Sequence, residues 1–273
     1  MRTINQSNSS PLEVVSAPKL KVFKNRLGSH LSRMIQDLPA LLFYVLCSTM
    51  TEPLDFYQTF VFLDIESTGL PRDQPRIAEL CLFAVHQSSL QPSPQTKGPQ
   101  LPRIIDKLIL CIDPQKPFTL GAQDITGLSN QKLEENCKRE INRSLMETLK
   151  GFLDRQAHPI CLVAHNGLRF DFPLLRKELW QIGTDLPANT GCLDTLQALK
   201  DVLREPYLSY KLGNLYQHFY REEPSRAHTA EGDVLTLLLV FLAKALELKA
   251  WAAHQAQKWE EIQPMDFPHS NRI

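Results

Sequence analysis

Asp64 and Glu66 stand two residues apart at the end of the apolar run Phe60-Val61-Phe62-Leu63. On a strand, residues two apart share a face, so both carboxylates point one way and Ile65 points into the core. Adjacent carboxylates repel unless a positive charge sits between them. Hard divalent cations prefer oxygen ligands and meet that need. Acids ahead of Gly69 and Pro71 also have an ordinary use as turn residues. A second candidate acid, Asp171, lies in His165-Asn166-Gly167-Leu168-Arg169-Phe170-Asp171-Phe172-Pro173. There a buried strand ends and a helix starts near Phe170, which puts Asp171 in a first turn whose dipole favours its ionised form. A third segment is His228-Thr229-Ala230-Glu231-Gly232-Asp233. Thr229 reads as a helix N-cap, with Asp233 inside the helix and His228 just outside it. A histidine so placed suits general-base work on water. Each segment alone also reads as plain helix-start chemistry. Together they supply four carboxylates and one histidine from separate elements. Four converging acids need more than one cation, and two ions roughly 3.5–4 Å apart can clamp the attacking and leaving oxygens of a phosphodiester. The chemistry implied is phosphoryl transfer to water.

The elements that must position these groups are legible from about Thr59 onward. Strands are expected over Thr59–Asp64, Ile77–His86, Ile104–Ile112, Pro159–Ala164 and Cys192–Asp194. Short connections between the first three suggest antiparallel neighbours. The stretch Gln91 to Pro102 carries five prolines and glycines in a loop. Helical stripes follow at Ile141/Leu145/Leu149/Phe152 and at Leu175/Leu179/Ile182, the latter closed by Gly183. Further stripes are Leu212/Leu215/Tyr216/Phe219 and Val234/Leu237/Leu238/Phe241, and the segment through Trp251 and Trp259 reads as helical too. Three strands followed by alternating strands and helices describe an α/β domain with a mixed sheet.

The chain has 273 residues, zero formal net charge, 43% hydrophobic and 22% charged residues. No global basic field argues for nucleic acid, so any such partner must be argued from a site. The six cysteines show no paired metal-type spacing and several fall in apolar runs. They read as free thiols of a reducing, intracellular compartment, cytoplasmic or nuclear. Residues 1–55 form a basic N-terminal extension, expected to be disordered or targeting, with residues 56–273 as the folded domain. Its apolar stretch, Leu38 to Cys47, is too short to span a bilayer as a helix. The extension carries a weak organelle-leader signal.

Three segments then show a resemblance: Phe62-Leu63-Asp64-Ile65-Glu66-Ser67-Thr68-Gly69-Leu70-Pro71, Leu162-Val163-Ala164-His165-Asn166-Gly167, and His228-Thr229-Ala230-Glu231-Gly232-Asp233-Val234. They resemble the motifs of the three-prime repair exonuclease (TREX) family in the DEDDh, or DnaQ-like, superfamily. Ile125-Thr126-Gly127-Leu128-Ser129 and Ile262-Gln263-Pro264-Met265 are similar to segments of that family as well. The resemblance covers about residues 58–267. It implies a ribonuclease H-like fold, with a mixed five-stranded sheet flanked by helices. It implies stepwise removal of nucleotides from DNA 3′ ends with Mg²⁺, two per site, or Mn²⁺ in its place. Asp64, Glu66, Asp171 and Asp233 would then hold the metals, with His228 as base. Ser67, Leu70, Ile125, Arg169, Phe170 and Lys200 would contact substrate. Phe170 stands where the family has Tyr, which removes a hydroxyl but keeps a stacking face. The implied partners are single-stranded DNA or frayed and mispaired 3′ ends, together with a second copy paired along the strand at 104–112.

Departures from the family are visible. The loop read over Lys200 to Lys211 is short and of mixed charge where some relatives have a longer arginine-rich loop. The 91–102 loop holds no continuous polyproline tract, and no long apolar tail follows Pro264, so no membrane association is expected. Two alternatives stay open at this level: a DEDDh exonuclease acting on RNA, since sugar choice depends on contacts to the 2′ position, and an inactive nucleic-acid-binding module.

Overall fold

The computed structural model describes residues 56–91 and 100–265. The readings made on residues 1–55, and on most of the 91–102 loop, lie outside the described residues. Strand β1 (Thr59–Ser67) is followed by β2 (Ile77–His86) and β3 (Asp106–Cys111). Helices α1 (Leu120–Thr126), α2 (Asn130–Glu135) and α3 (Arg143–Asp154) lead to β4 (Ile160–Ala164). Then come α4 (Asp171–Gln181), β5 (Gly191–Asp194), α5 (Thr195–Leu203), α6 (Leu212–Tyr220), α7 (Ala230–Leu242), α8 (Ala245–Gln255) and the two-residue strand β6 (Gln257–Lys258). The sheet order is β3-β2-β1-β4-β5-β6. β1–β2 and β2–β3 are antiparallel, β1–β4 and β4–β5 parallel, and β5–β6 antiparallel. The expected α/β class and ribonuclease H-like arrangement hold, with six strands rather than five.

The two faces of β1 follow the period of two. Phe60 and Phe62 pack with Val234, Leu237 and Phe241 of α7. Val61, Leu63 and Ile65 pack on the other side with residues of α3 and α4, among them Leu149, Phe172 and Leu175. Asp64 and Glu66 therefore continue the α7 face, while Ile65 is buried opposite. The central strands β1 and β4 are covered on both faces, which is why they read as continuous apolar runs.

Several boundaries differ from the sequence reading. β1 runs on to Ser67, because the antiparallel ladder with β2 continues past the acids to a register shift between Glu66 and Ser67. β3 is shorter than Ile104–Ile112. Lys200 sits on helix α5, not in a loop, and that helix ends only at Arg204, whose backbone is left-handed. Helices α1 and α2 are too short to show an apolar stripe and are instead defined by their caps, Thr119 on Ala122 N and Ser129 on Lys132 N. The last helix stops at Gln255, and Trp259 is buried in a separate 3₁₀ turn after β6. The cause is a distant residue. Arg176 of α4 donates to the carbonyls of Trp259 at 2.9 Å, Glu260 at 3.0 Å and Ile262. Its guanidinium also pairs with Asp185, which accepts from both Trp180 Nε1 and Trp259 Nε1. Among the described residues no helix is long and apolar enough to cross a membrane.

Candidate active site

β1 presents Asp64 and Glu66 toward the first turn of α7, which carries Asp233. One carboxylate oxygen from each of these three residues lies within 4.8 Å of the others. Asp171 opens α4 and is only 5% exposed; it falls outside that group of three, and its link to β1 is the backbone N–H of Ile65, between the two β1 acids. The electrostatics report the crowding. Burial, then the charges of Asp171, Asp233, Glu66 and Glu79, hold the Asp64 carboxyl well above the usual carboxylate range. Burial together with Asp233 and Glu79 raises Glu66 to about 7. Asp171 is also raised to about 7, mainly by burial and then by Asp194, against the pull of its own N–H and that of Ile65. Asp233 is raised by burial, offset by the backbone and the charge of His228. Among the described residues no lysine or arginine forms an ion pair with any of the four. Carboxylates left this close without a lysine or arginine partner form a donor set of hard oxygens, which fits divalent cations such as Mg²⁺ or Mn²⁺.

Local chemistry builds each approach to the site. At the α7 end, Thr229 caps the helix by accepting from Gly232 N at 3.1 Å. Asp233 Oδ2 accepts from His228 N at 3.1 Å, tying the histidine backbone to the acid five residues on. His228 adopts a left-handed backbone and is exposed at the edge of the site. The chain crosses so close to the helix here that a Cβ on Gly232 would overlap the Arg226 carbonyl, so only glycine fits. Glu79 of β2, directly opposite Glu66, accepts from Ala230 N at 3.1 Å.

At the α4 end, Asp194 closes β5 and serves three backbone groups. It accepts from Asn166 N at 2.8 Å, Leu168 N at 3.2 Å and Leu196 N at 2.9 Å. It thereby holds the 166–170 loop and starts α5 at once. A Cβ on Gly167 would press into Ala164 and Phe172. The ring of His165 bridges Thr195 Oγ1 and the Tyr210 carbonyl, each at 2.9 Å, and burial holds its pKa below the usual value. Glu79 and Asp194 are supports that the sequence reading missed. Their only sequence signal is a carboxylate inside, or ending, an otherwise apolar strand.

The residues expected to touch substrate occupy different settings. Leu70 and Ile125 expose 57% and 58% of their surface. Their elements are joined by the bond from Thr119 N to Thr68 O at 2.9 Å. Arg169 is exposed and, with Pro71, Leu168, Pro173 and Met265, lines an open groove of about 480 Å³. Phe170 is half-buried against the α4-side core. Ser67 is buried and its hydroxyl donates to Gly69 O at 2.8 Å, inside the turn that presents Leu70. Lys200 stands exposed on α5, its Nζ 6.0 Å from the centre of the Tyr210 ring.

A family model described as exonuclease matches residues 61–241, which span all four acids and His228. The three prime repair exonuclease 2 of Mus musculus is 52% identical over 221 residues, covering 77% of this chain and 94% of that protein. Three-prime repair exonuclease 1 of Bos taurus is 42% identical over 221 residues, covering 76% of this chain and 70% of that protein. Among solved structures, E. coli exonuclease I in complex with a dA16 oligonucleotide superposes with a TM-score of 0.54 at 20% identity, over 70% of this chain and 42% of that one. This chain thus spans less than half of exonuclease I. The nuclease domain of 3′hExo, a DEDDh family member bound to rAMP, superposes with a TM-score of 0.54 at 13% identity, over 70% of this chain and 93% of that one. These two likenesses bear on the fold, whereas the sequence matches decide the family. With its acids at the convergence of β1, α4 and α7, the chain belongs to the three-prime repair exonuclease family of DEDDh exonucleases.

Proposed function

We propose that this protein is a 3′–5′ exonuclease that hydrolyses DNA from its 3′ end and releases 5′-mononucleotides. One observation carries the reading: Asp64, Glu66 and Asp233, from two elements far apart in sequence, bring carboxylate oxygens within 4.8 Å of one another. Asp64, Glu66, Asp171 and Asp233 would hold two Mg²⁺ ions, or Mn²⁺ in their place. Bound there, the ions would supply the charge that stabilises the attacking and leaving oxygens. An imidazole nitrogen of His228 takes the proton of the attacking water, and its exposure leaves it open to solvent exchange between turnovers. The bond broken is the one joining the terminal phosphorus to the preceding O3′. Leu70 and Ile125 offer apolar surface to the terminal bases, Phe170 a stacking face, and Arg169 a positive charge for a phosphate. Ser67 shapes the turn before Leu70 instead of offering a free hydroxyl. Lys200 adds charge from α5.

Single-stranded DNA, or frayed and mispaired 3′ ends, is the substrate class proposed. The names of the TREX relatives and the oligonucleotide seated on exonuclease I support it. The test pairs matched DNA and RNA oligonucleotides, each with Mg²⁺ and with EDTA, and reads mononucleotide release. Loss of DNA alone, and only with metal, is expected, whereas equal loss of RNA would overturn the sugar assignment. We further propose a homodimer joined along the outer edge of β3, where Ile109 is exposed on a strand that has no neighbour on that side among the described residues. The five described cysteines are all free, in keeping with work in a reducing cytoplasmic or nuclear compartment.

A further inference from the structure

Glu79 is the charged residue in the strand run Ile77–Val85, and its position is electrostatically poor. It lies across the ladder from Glu66 and adds its charge to the repulsion on both Glu66 and Asp64. Something must offset that cost. Its Oε2 accepts from the backbone N–H of Ala230 at 3.1 Å. Ala230 is buried, and it is the first residue of α7, where an amide has no partner within the helix. Thr229 Oγ1 is taken by Gly232 N, and Asp233 N bonds Thr229 O, so neither serves that amide. A carboxylate at a helix N-terminus is also favoured by the helix dipole. The bond therefore joins β2 to the turn that holds His228 two residues before Ala230 and Asp233 three residues after it.

The rest of α7 does not depend on this bond. Val234, Leu237, Leu238 and Phe241 anchor the helix in the core against Phe60 and Phe62. Apolar packing fixes that α7 lies on the sheet, but it is non-directional. A hydrogen bond from the sheet to the first turn fixes where that turn stands along β1. We propose that Glu79 is a positioning residue, which pins the first turn of α7 to β2 and so holds Asp233 beside Asp64 and Glu66, with His228 at the edge of the site. The inference rests on the reading that Asp233 binds metal and His228 acts as base.

The test compares full-length wild type, Glu79→Gln and Glu79→Ala. The amide carbonyl of Gln can still accept from Ala230 N, whereas Ala cannot. Three measurements are made: steady-state kinetics (kcat and KM) on a single-stranded oligonucleotide, Mn²⁺ affinity by electron paramagnetic resonance, and hydrogen exchange at the Ala230 amide. Glu79→Ala should lower kcat roughly 10–100-fold with KM little changed, as expected for misplacement near 1 Å or less. It should weaken Mn²⁺ binding by about tenfold or more, the usual effect of losing a support behind a ligand. Exchange at Ala230 should quicken by about tenfold or more, the loss of one backbone hydrogen bond. Glu79→Gln loses the same charge as Glu79→Ala but keeps an acceptor, so it should stay within about threefold of wild type in kcat and Ala230 exchange and bind Mn²⁺ markedly more tightly than Glu79→Ala. Wild-type kcat and Mn²⁺ affinity in Glu79→Ala would overturn the proposal. So would a folded Glu79→Gln impaired about tenfold or more in kcat and Ala230 exchange relative to wild type, and this arm decides the matter even if Glu79→Ala does not fold. Asp233→Asn is the separate control: if it keeps Mn²⁺ affinity, the site reading fails, while Ala230 exchange still decides whether Glu79 pins the helix.

Discussion

Without metal, the acids of this site should make the folded protein less stable as pH rises, and Glu66 allows the size to be worked out. Its folded pKa is about 7, against an ordinary 4.5, chiefly through burial and then through the charges of Asp233 and Glu79. A carboxyl whose folded pKa is raised binds its proton more tightly in the folded state. It therefore contributes stability that is fully present below pH 4.5 and is lost as pH rises through about 7. At about 1.4 kcal/mol per pKa unit the full effect is about 3 kcal/mol. Glu66 keeps some contact with solvent, which screens its neighbours, so about 2 kcal/mol is the expected loss. In a domain of this size each kcal/mol moves Tm by about 2–4 °C, so the change is about 4–8 °C. The assay is thermal unfolding in EDTA across pH 4.5–8 for wild type and Glu66→Gln. The variant lacks the titrating group, so the Tm of wild type relative to it should fall by that amount between the two ends. Asp171 and Asp64 titrate with the same sign in both proteins, and because the Glu66 charge raises both, their shifts shrink in the variant and add to the fall in the same direction. Adding Mn²⁺ at pH 8 should return more Tm to wild type than to the variant. A Tm difference that stays flat, or that grows in favour of wild type with pH, would refute the crowding argument.

Other perturbations separate the roles. Asp64→Asn or Asp233→Asn should cost roughly a hundredfold or more in kcat, since each removes an anionic metal ligand from a site worth several kcal/mol. Wild-type turnover in either variant sinks that residue's assignment, and circular dichroism should show the fold retained. His228→Ala should lower kcat about 10²–10⁴-fold while DNA affinity measured with Ca²⁺ changes little. The rising limb of the wild-type pH–rate profile should vanish in that variant, and a retained limb would leave His228 as a helix-start residue only. Gly232→Ala drives a methyl into the Arg226 carbonyl and should destabilise the protein by about 1–3 kcal/mol. Its denaturation midpoint is the readout, and no change there contradicts the close approach of chain and helix. Ile109→Glu puts a charge on the exposed face of β3 and should convert a micromolar dimer to monomer by sedimentation, whereas a monomeric wild type rejects the β3 pairing.

What could be read from sequence divides along a physical line. The pairing of Asp64 and Glu66 was legible because they sit two apart on a strand whose faces alternate, and two carboxylates on one face call for a cation between them. Asp233 was legible because Thr229 caps the start of α7, whereas α4 starts at Asp171 behind Phe170, which makes no side-chain cap. The strand β6 was not, since its place depends on Arg176 more than eighty residues earlier and not on any local pattern. Lys200 was misplaced because Arg204, Glu205 and Pro206 look like a loop, whereas α5 continues until Arg204 turns left-handed. Glu79 and Asp194 were hidden for a related reason. Both act on backbone N–H groups, which every residue carries, so neither partner marks itself in the sequence. A charged side chain in a strand covered on both faces is costly unless it is hydrogen-bonded. The carboxylate within Ile77–Val85 was thus itself the sign that a backbone donor from elsewhere had to reach it. The structure identifies that donor as the first turn of the helix bearing Asp233.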